Sequence, residues 1–292
     1  MSVDLTKLKE LRERTNSGFL DCKNALEETN NNIEEAIQWL QEKGIVKAAK
    51  KSGRIAAEGI VRAHIEGNSA ILFELNSETD FVAKNQLFID LSNKIAQKLI
   101  ETKFETEEDL KSIIIDGMTI EENCNSLTAK IGEKITFRRA IKYEAQADEI
   151  VAGYTHANNR VAVIAIAKGQ DQESLRHLTM HIAALNPAYI FEKDICEVEL
   201  KGIHEKIDAD PKLNGKPEKI QQSMKAGMLR KEFVDKGVLM YQPFVMDDSK
   251  IVSKFLEDSK LKLLCAKRFE VGEGIEKKTV DFAAEVAEQM KM

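Results

Sequence analysis

Residues 60–85 read Ile60-Val-Arg-Ala-His-Ile-Glu-Gly-Asn-Ser-Ala-Ile-Leu-Phe-Glu-Leu-Asn-Ser-Glu-Thr-Asp-Phe-Val-Ala-Lys-Asn85. Ile60–Ile65 and Ala70–Leu75 are two short apolar runs parted by Glu66-Gly67-Asn68, a turn-forming triplet, and together they predict a β-hairpin. The second run then gives way to a helix. Thr79 or Asp80 reads as its N-cap, because a short oxygen side chain accepts hydrogen bonds from the open N–H groups of a first turn. Phe88, Leu91, Ile95 and Leu99 recur at spacings of three and four, which predicts one buried stripe. Phe81 stands seven residues before Phe88 on the same line. Lys84 and Asn85 fill the turn between them, so Phe81 is cut off from the stripe. Two readings follow: a helix cap with a peripheral core phenylalanine, or an aromatic ring and a carboxylate held at a supported tip for something else to meet.

The same pattern returns downstream. Val151–His156, Ala157-Asn158-Asn159 and Val161–Ile166 predict a second hairpin, followed by a helix over Glu173–Leu185. Asn68 and Asn159 align at an offset of 91 residues (159 − 68). Each copy closes with a later strand, Ile135–Ile141 in the first and Leu263–Val271 in the second. The expectation is an α+β fold with a duplicated core: two related subdomains, each a three-stranded antiparallel sheet with helices on one face. Packing the pair together would give them a shared core. At the place matching the tip, the second copy has Lys168-Gly-Gln-Asp-Gln172, with no aromatic. The fold therefore does not require Phe81.

Around this core the chain predicts further parts. Residues 1–54 read as a three-helix bundle: Leu5, Leu8 and Leu11 on a first helix, a break at Thr15–Gly18, then Phe19–Glu28 with Cys22, Ala25 and Leu26 inward. Asn30-Asn31-Asn32 caps a third helix, with Ile33, Ala36, Ile37 and Leu40 on one face and Gly44 as its stop. Phe19 and Leu20 read first as core, second as an apolar contact surface. Lys47–Arg54 is a basic connector, and Lys50-Lys51-Ser52 lacks the glycine that a phosphate loop places before its lysine. Subdomains are expected over 55–142 and 143–280. The second is interrupted at 197–240 by an antiparallel helical hairpin, with Ile203 and Ile207 on one helix, Ile220, Met224 and Phe233 on the other, and the reversal at Asp210–Pro217. Two helices alone bury little apolar surface, so this hairpin is expected to pack on a second copy or a partner. Residues 279–292, with Val280, Ala283, Ala284, Val286 and Ala287, predict an amphipathic terminal helix.

Composition narrows the function classes. The 292 residues are 32% charged and 43% hydrophobic, which suits a globular protein of two or three domains. No apolar run reaches the roughly 18 residues of a membrane span, and the first residues carry no apolar leader, so a cytoplasmic location is expected. Cys22, Cys124, Cys196 and Cys265 stand far apart, which argues against a disulfide framework or a zinc site. A net charge of −6 argues against nucleic acid as a direct partner.

The search for chemistry finds no catalytic constellation. His177 and His181 have the spacing of a helical zinc pair, but no glutamate lies between them, and helix packing is the better reading. Val271-Gly272-Glu273-Gly274-Ile275 lacks the third glycine of a dinucleotide fingerprint. Lys51, Arg54 and Arg62 offer a basic patch without interleaved aromatics, so single-stranded nucleic acid has no stacking platform. No cofactor and no metal are expected. The residues alone describe a non-enzymatic protein-binding scaffold, with a hairpin-mediated dimer and a weak RNA binder as alternatives.

Several blocks are long and unusual: Leu11-Arg-Glu-Arg-Thr15 with Gly18-Phe-Leu-Asp-Cys-Lys-Asn-Ala-Leu26, Thr79-Asp-Phe-Val-Ala-Lys-Asn85, Met180-His-Ile-Ala-Ala184, Gln242-Pro-Phe-Val245 and Arg268-Phe-Glu-Val-Gly-Glu-Gly-Ile-Glu276. From end to end the chain resembles bacterial elongation factor Ts. The resemblance implies a ubiquitin-associated-like N-terminal bundle, a duplicated α+β core and a coiled-coil hairpin inserted in its second copy. It implies guanine-nucleotide exchange on elongation factor Tu: Thr79, Asp80, Phe81 and Val82 would enter the GTPase and displace the Mg²⁺ that helps hold GDP, Phe81 as a wedge and Asp80 against the metal-side hydrogen bonds. Arg12, Phe19, Leu20 and Lys23 would contact the partner's nucleotide domain, helped by the terminal helix near 281–286, and His156 would sit at the second subdomain's contact. Phe-Leu at 19–20 keeps the family's large apolar character. Asn16 stands where the family usually has glycine, and asparagine tolerates the left-handed turn.

Overall fold

A computed structural model describes residues 3–15 and 17–276. Its described residues fall into two compact units, one within Met1–Val61, Phe73–Ala140 and Glu270–Met292, the other within Arg62–Leu72 and Ile141–Phe269. The architecture is α+β, with small sheets and no closed barrel among the described residues.

In the first unit α1 (Leu5–Thr15), α2 (Phe19–Glu28) and α3 (Ile33–Ala49) form the bundle. Leu8, Leu11, Cys22, Ala25, Leu26 and Ala36 are its buried core, with Ile33, Ile37 and Leu40 half-buried around them. Asn32 caps α3 by accepting the N–H groups of Glu34 and Glu35. Two expectations are corrected here. Gly44 does not end α3: the helix runs through it to Ala49, and a Cβ at Gly44 would lie 3.2 Å from the Ala129 Cβ. The glycine is there for close approach to a later helix. Phe19 and Leu20 are exposed, not core. Asn16 lies outside the described residues.

Two strands follow, β1 (Glu58–Glu66) and β2 (Ser69–Ser77), then α4 (Asp80–Ala83) and α5 (Gln86–Glu101). Phe88, Leu91, Ile95 and Leu99 form the buried stripe of α5 as spaced. The single helix read from Thr79 onward is instead two, because Asn85 turns extended and caps α5 by accepting the Leu87 N–H at 2.9 Å. Next come α6 (Glu107–Lys111), the short β3 (Ile114–Ile115) and β4 (Met118–Thr119), α7 (Ile120–Ile131), which packs on α3, and β5 (Thr136–Glu144).

The second copy has β6 (Glu149–Thr155), β7 (Val161–Lys168) and α8 (Gln172–Leu185). The hairpin helices α9 (Glu197–Asp208) and α10 (Glu218–Asp235) come next, then β8 (Pro243–Phe244), β9 (Asp247–Ile251), α11 (Val252–Asp258) and β10 (Lys262–Glu270). The two three-stranded sheets are ordered β1-β2-β5 and β10-β7-β6. In both, the second strand of the hairpin is central and the later strand closes one edge, so the repeat seen in sequence is a repeat of topology. Both central strands are nearly buried throughout.

The blocks that carry the resemblance meet in space within their units. His181 is fully buried, accepts the Val245 N–H on Nδ1 at 3.1 Å and donates from Nε2 to Gln242 Oε1 at 3.1 Å. Burial holds its pKa below the usual histidine range despite the Gln242 hydrogen bond, which acts the other way. It is a packing histidine, stacked on Phe244. The hairpin expectation also changes. Ile203, Ile207 and Phe233 are buried against Ile195 and Val238, so the root of the hairpin has a small core within this chain. Ile220 is exposed rather than inward. The terminal helix expected at 279–292 lies outside the described residues.

Candidate partner-binding site

At the end of β2 the backbone is held before it turns. Ser77 Oγ donates to the Thr79 carbonyl at 2.8 Å, and Thr79 is extended, with φ −126° and ψ 159°. Thr79 is the N-cap of α4, though its own hydroxyl accepts the Val82 N–H only at 3.5 Å. A single helical turn then carries Asp80, Phe81 and Val82 in three directions. Val82 points inward at 6% exposure, whereas Phe81 is 78% exposed. A large apolar side chain left in water on an ordered turn forgoes ~1.5–3 kcal/mol of burial.

The polar surroundings of Phe81 are arranged on the same turn. Lys84 Nζ lies 2.8 Å from Asp80 Oδ2 and 5.9 Å from the Phe81 ring centroid. The ammonium thus sits between a carboxylate and an aromatic face, both exposed.

Beneath the tip are residues that the sequence reading missed. Both Glu133 carboxylate oxygens face Thr79: the Thr79 N–H donates to Oε2 at 2.9 Å, and its hydroxyl lies 2.9 and 3.0 Å from the two oxygens. One residue on, the Lys134 N–H donates to Glu78 Oε1 at 2.6 Å, and Arg54 reaches both Glu78 oxygens at 3.3 Å. Lys134 Nζ donates in turn to the carbonyls of Ser52 and Arg54. Lys51 Nζ donates to the Gly132 carbonyl. Lys51 and Arg54 are therefore fastened to their own unit. No local spacing signals these partners, which lie 24 to 82 residues from the groups they hold.

Deeper in the same unit Glu74 is fully buried on β2. It accepts the Gly272 N–H at 2.8 Å, Asn76 Nδ2 at 3.0 Å, Arg139 Nε at 2.7 Å and Arg138 at 3.1 Å. Burial raises its pKa, but these donors together outweigh burial and hold it below the usual carboxylate range. Gly272 has φ +72°, and a Cβ there would stand 2.2 Å from the Ala57 carbonyl oxygen, so only glycine lets the N–H come close enough to donate.

Of the other expected site residues, Arg12 and Phe19 line one open concavity of about 550 Å³ on the bundle, together with Leu5 and Leu8. Leu20 is 69% exposed beside them in sequence, and Lys23, also exposed, pairs with Glu27 at 3.7 Å. The bundle and the tip belong to the same unit. His156 belongs to the other, on the exposed loop after β6, with its Nδ1 3.0 Å from the Tyr154 hydroxyl. Among the described residues no three His, Cys, Asp or Glu side chains converge as a metal site, and no helix is long and apolar enough to cross a membrane.

Comparison with known proteins gives a consistent result. The family model described as elongation factor TS matches residues 78–273. The chain is 68% identical over 291 residues to elongation factor Ts of Metamycoplasma arthritidis (strain 158L3-1), covering 100% of both chains. It is 51% identical over 285 residues to elongation factor Ts of Mycoplasmopsis pulmonis (strain UAB CTIP), covering 97% of each, and 44% identical over 288 residues to that of Mycoplasmopsis synoviae (strain 53), covering 98% of each.

Proposed function

The chain belongs to the elongation factor Ts family, and on that premise we propose that it is a guanine-nucleotide exchange factor, which binds elongation factor Tu carrying GDP, displaces Mg²⁺ and releases the nucleotide so that GTP can enter. It works by binding and not by covalent chemistry, in support of translation elongation in the cytoplasm. The observation that carries this reading is the 78% exposure of Phe81 on a turn whose next residue, Val82, is buried.

In this mechanism Phe81 is the wedge. Asp80 acts against the metal-side hydrogen bonds once the partner draws it from Lys84. Thr79 fixes the start of the turn, and Val82 seats it on the body of the factor. Arg12, Phe19, Leu20 and Lys23 grip the nucleotide domain from the bundle, and His156 contacts the partner from the second unit. Linkage sets the scale: weakening GDP a thousandfold requires the factor to bind the GDP-free form better by ~4 kcal/mol. Burying one aromatic wedge supplies ~1.5–3 kcal/mol, and the weakened Mg²⁺ coordination in the partner accounts for a remainder of similar size.

The test is release of fluorescent GDP preloaded on elongation factor Tu. Substoichiometric amounts of this protein are expected to accelerate release catalytically. Release that is unchanged, or that scales one-to-one with added protein, contradicts the reading.

A further inference from the structure

We propose that Glu133 is a positioning residue for exchange: it holds Phe81 and Asp80 at the angle from which they engage the GTPase, and it acts through Thr79. This inference rests on the exchange reading above.

The geometry is that of a clamp between two consecutive pairs. Thr79 gives both its N–H and its hydroxyl to Glu133, while Glu78 takes the N–H of Lys134 and the guanidinium of Arg54. Hydrogen bonds to a charged acceptor are the stronger kind, and two donors from one residue fix rotation as well as distance. Thr79 is the last residue before the tip. With α4 only four residues long and the chain extended again at Asn85, one residue beyond its Lys84 cap, the tip's direction depends on how Thr79 is held.

In the second copy of the fold the matching segments are joined differently. The offset of 91 residues aligns Glu78 with Gly169. A Cβ on Gly169 would lie 2.8 Å from the Lys260 carbonyl and 2.7 Å from Leu261 Cδ2, so there the loop after β7 packs directly on the segment before β10. Asp171 accepts the Ser174 N–H and hydroxyl, and the Ser259 hydroxyl donates to Ser174 Oγ at 3.1 Å. Direct contact of a carboxylate with the residue that leads into the tip belongs to the copy that presents Phe81, and its loss should leave the sheet intact.

The experiment measures maximal GDP release and half-saturating factor concentration for the unsubstituted protein, Glu133→Ala, Glu133→Gln, Phe81→Ala and the Glu133→Ala/Phe81→Ala pair. Loss of charge-assisted hydrogen bonds worth roughly one power of ten leads us to expect Glu133→Ala to lower maximal release about tenfold, with half-saturation changed less than about twofold because the bundle still grips the partner. Glu133→Gln, which can still accept from the Thr79 N–H, should recover part of the loss. In the Phe81→Ala background the Glu133 substitution should do almost nothing further, since coupled residues are non-additive. Glu133→Ala at the unsubstituted rate, or full additivity with Phe81→Ala, overturns the positioning role and leaves the exchange reading standing. Failure of the unsubstituted protein to accelerate release overturns both.

Discussion

Lys84 Nζ sits 2.8 Å from Asp80 Oδ2, so the carboxylate assigned to the partner's metal side is already paired within the free factor. Both members are more than half exposed. Exposed i,i+4 pairs contribute only ~0.3–0.5 kcal/mol, so the pair is not there to hold the fold together. Asp80→Asn is expected to leave the thermal midpoint almost unchanged and to lower GDP release roughly tenfold, about the rate equivalent of one charge-assisted contact. Paired melts and release assays on the same preparation check this. A variant that loses several degrees of midpoint while exchanging normally contradicts it.

Glu74 is expected to behave in the opposite way. It is buried, faces Arg138 and Arg139, and its pKa is held down in the folded chain. A depressed carboxylate contributes stability above its unfolded value, about 4.3, and that contribution is lost as pH falls through the lower folded value. Glu74→Gln leaves two guanidiniums facing a neutral amide and should cost ~3 kcal/mol or more at neutral pH. Melting curves from pH 7 to 3 should show a lower midpoint for the variant and a shallower acid limb. Coincident curves would show that the network contributes nothing.

At Gly44 the question is space. A Cβ would meet the Ala129 Cβ at 3.2 Å, between α3 and α7. Gly44→Leu should overpack that contact and destabilise by ~1–3 kcal/mol, read as a loss of several degrees in thermal midpoint. An unchanged midpoint would mean that the two helices separate without cost.

These cases show what the residues reveal by themselves. The two hairpins, the stripe of α5 and the bundle core follow from spacing, because period and turn chemistry are local. The repeat also reveals the tip, since Lys168–Gln172 does without the aromatic that Phe81 supplies. Gly44 is misread as a stop because a glycine that ends a helix and one that admits a neighbour look the same in sequence. The break at Asn85 is missed because Phe81 and Phe88 keep a helical spacing across it. Glu133 and Glu74 are hidden for a different reason: apart from Asn76 beside Glu74, their partners lie 54 to 198 residues away, and only the folded chain brings them together.

Phe81→Ala is the most direct test of the wedge. Release of fluorescent GDP from elongation factor Tu and thermal unfolding are measured on the same variant. An exposed side chain contributes little to its own fold, so the midpoint should stay within about a degree while maximal release falls by at least tenfold, in line with losing a buried aromatic anchor. Equal loss of stability and exchange would return Phe81 to the role of a core residue, and full exchange by the variant would remove the wedge from the mechanism.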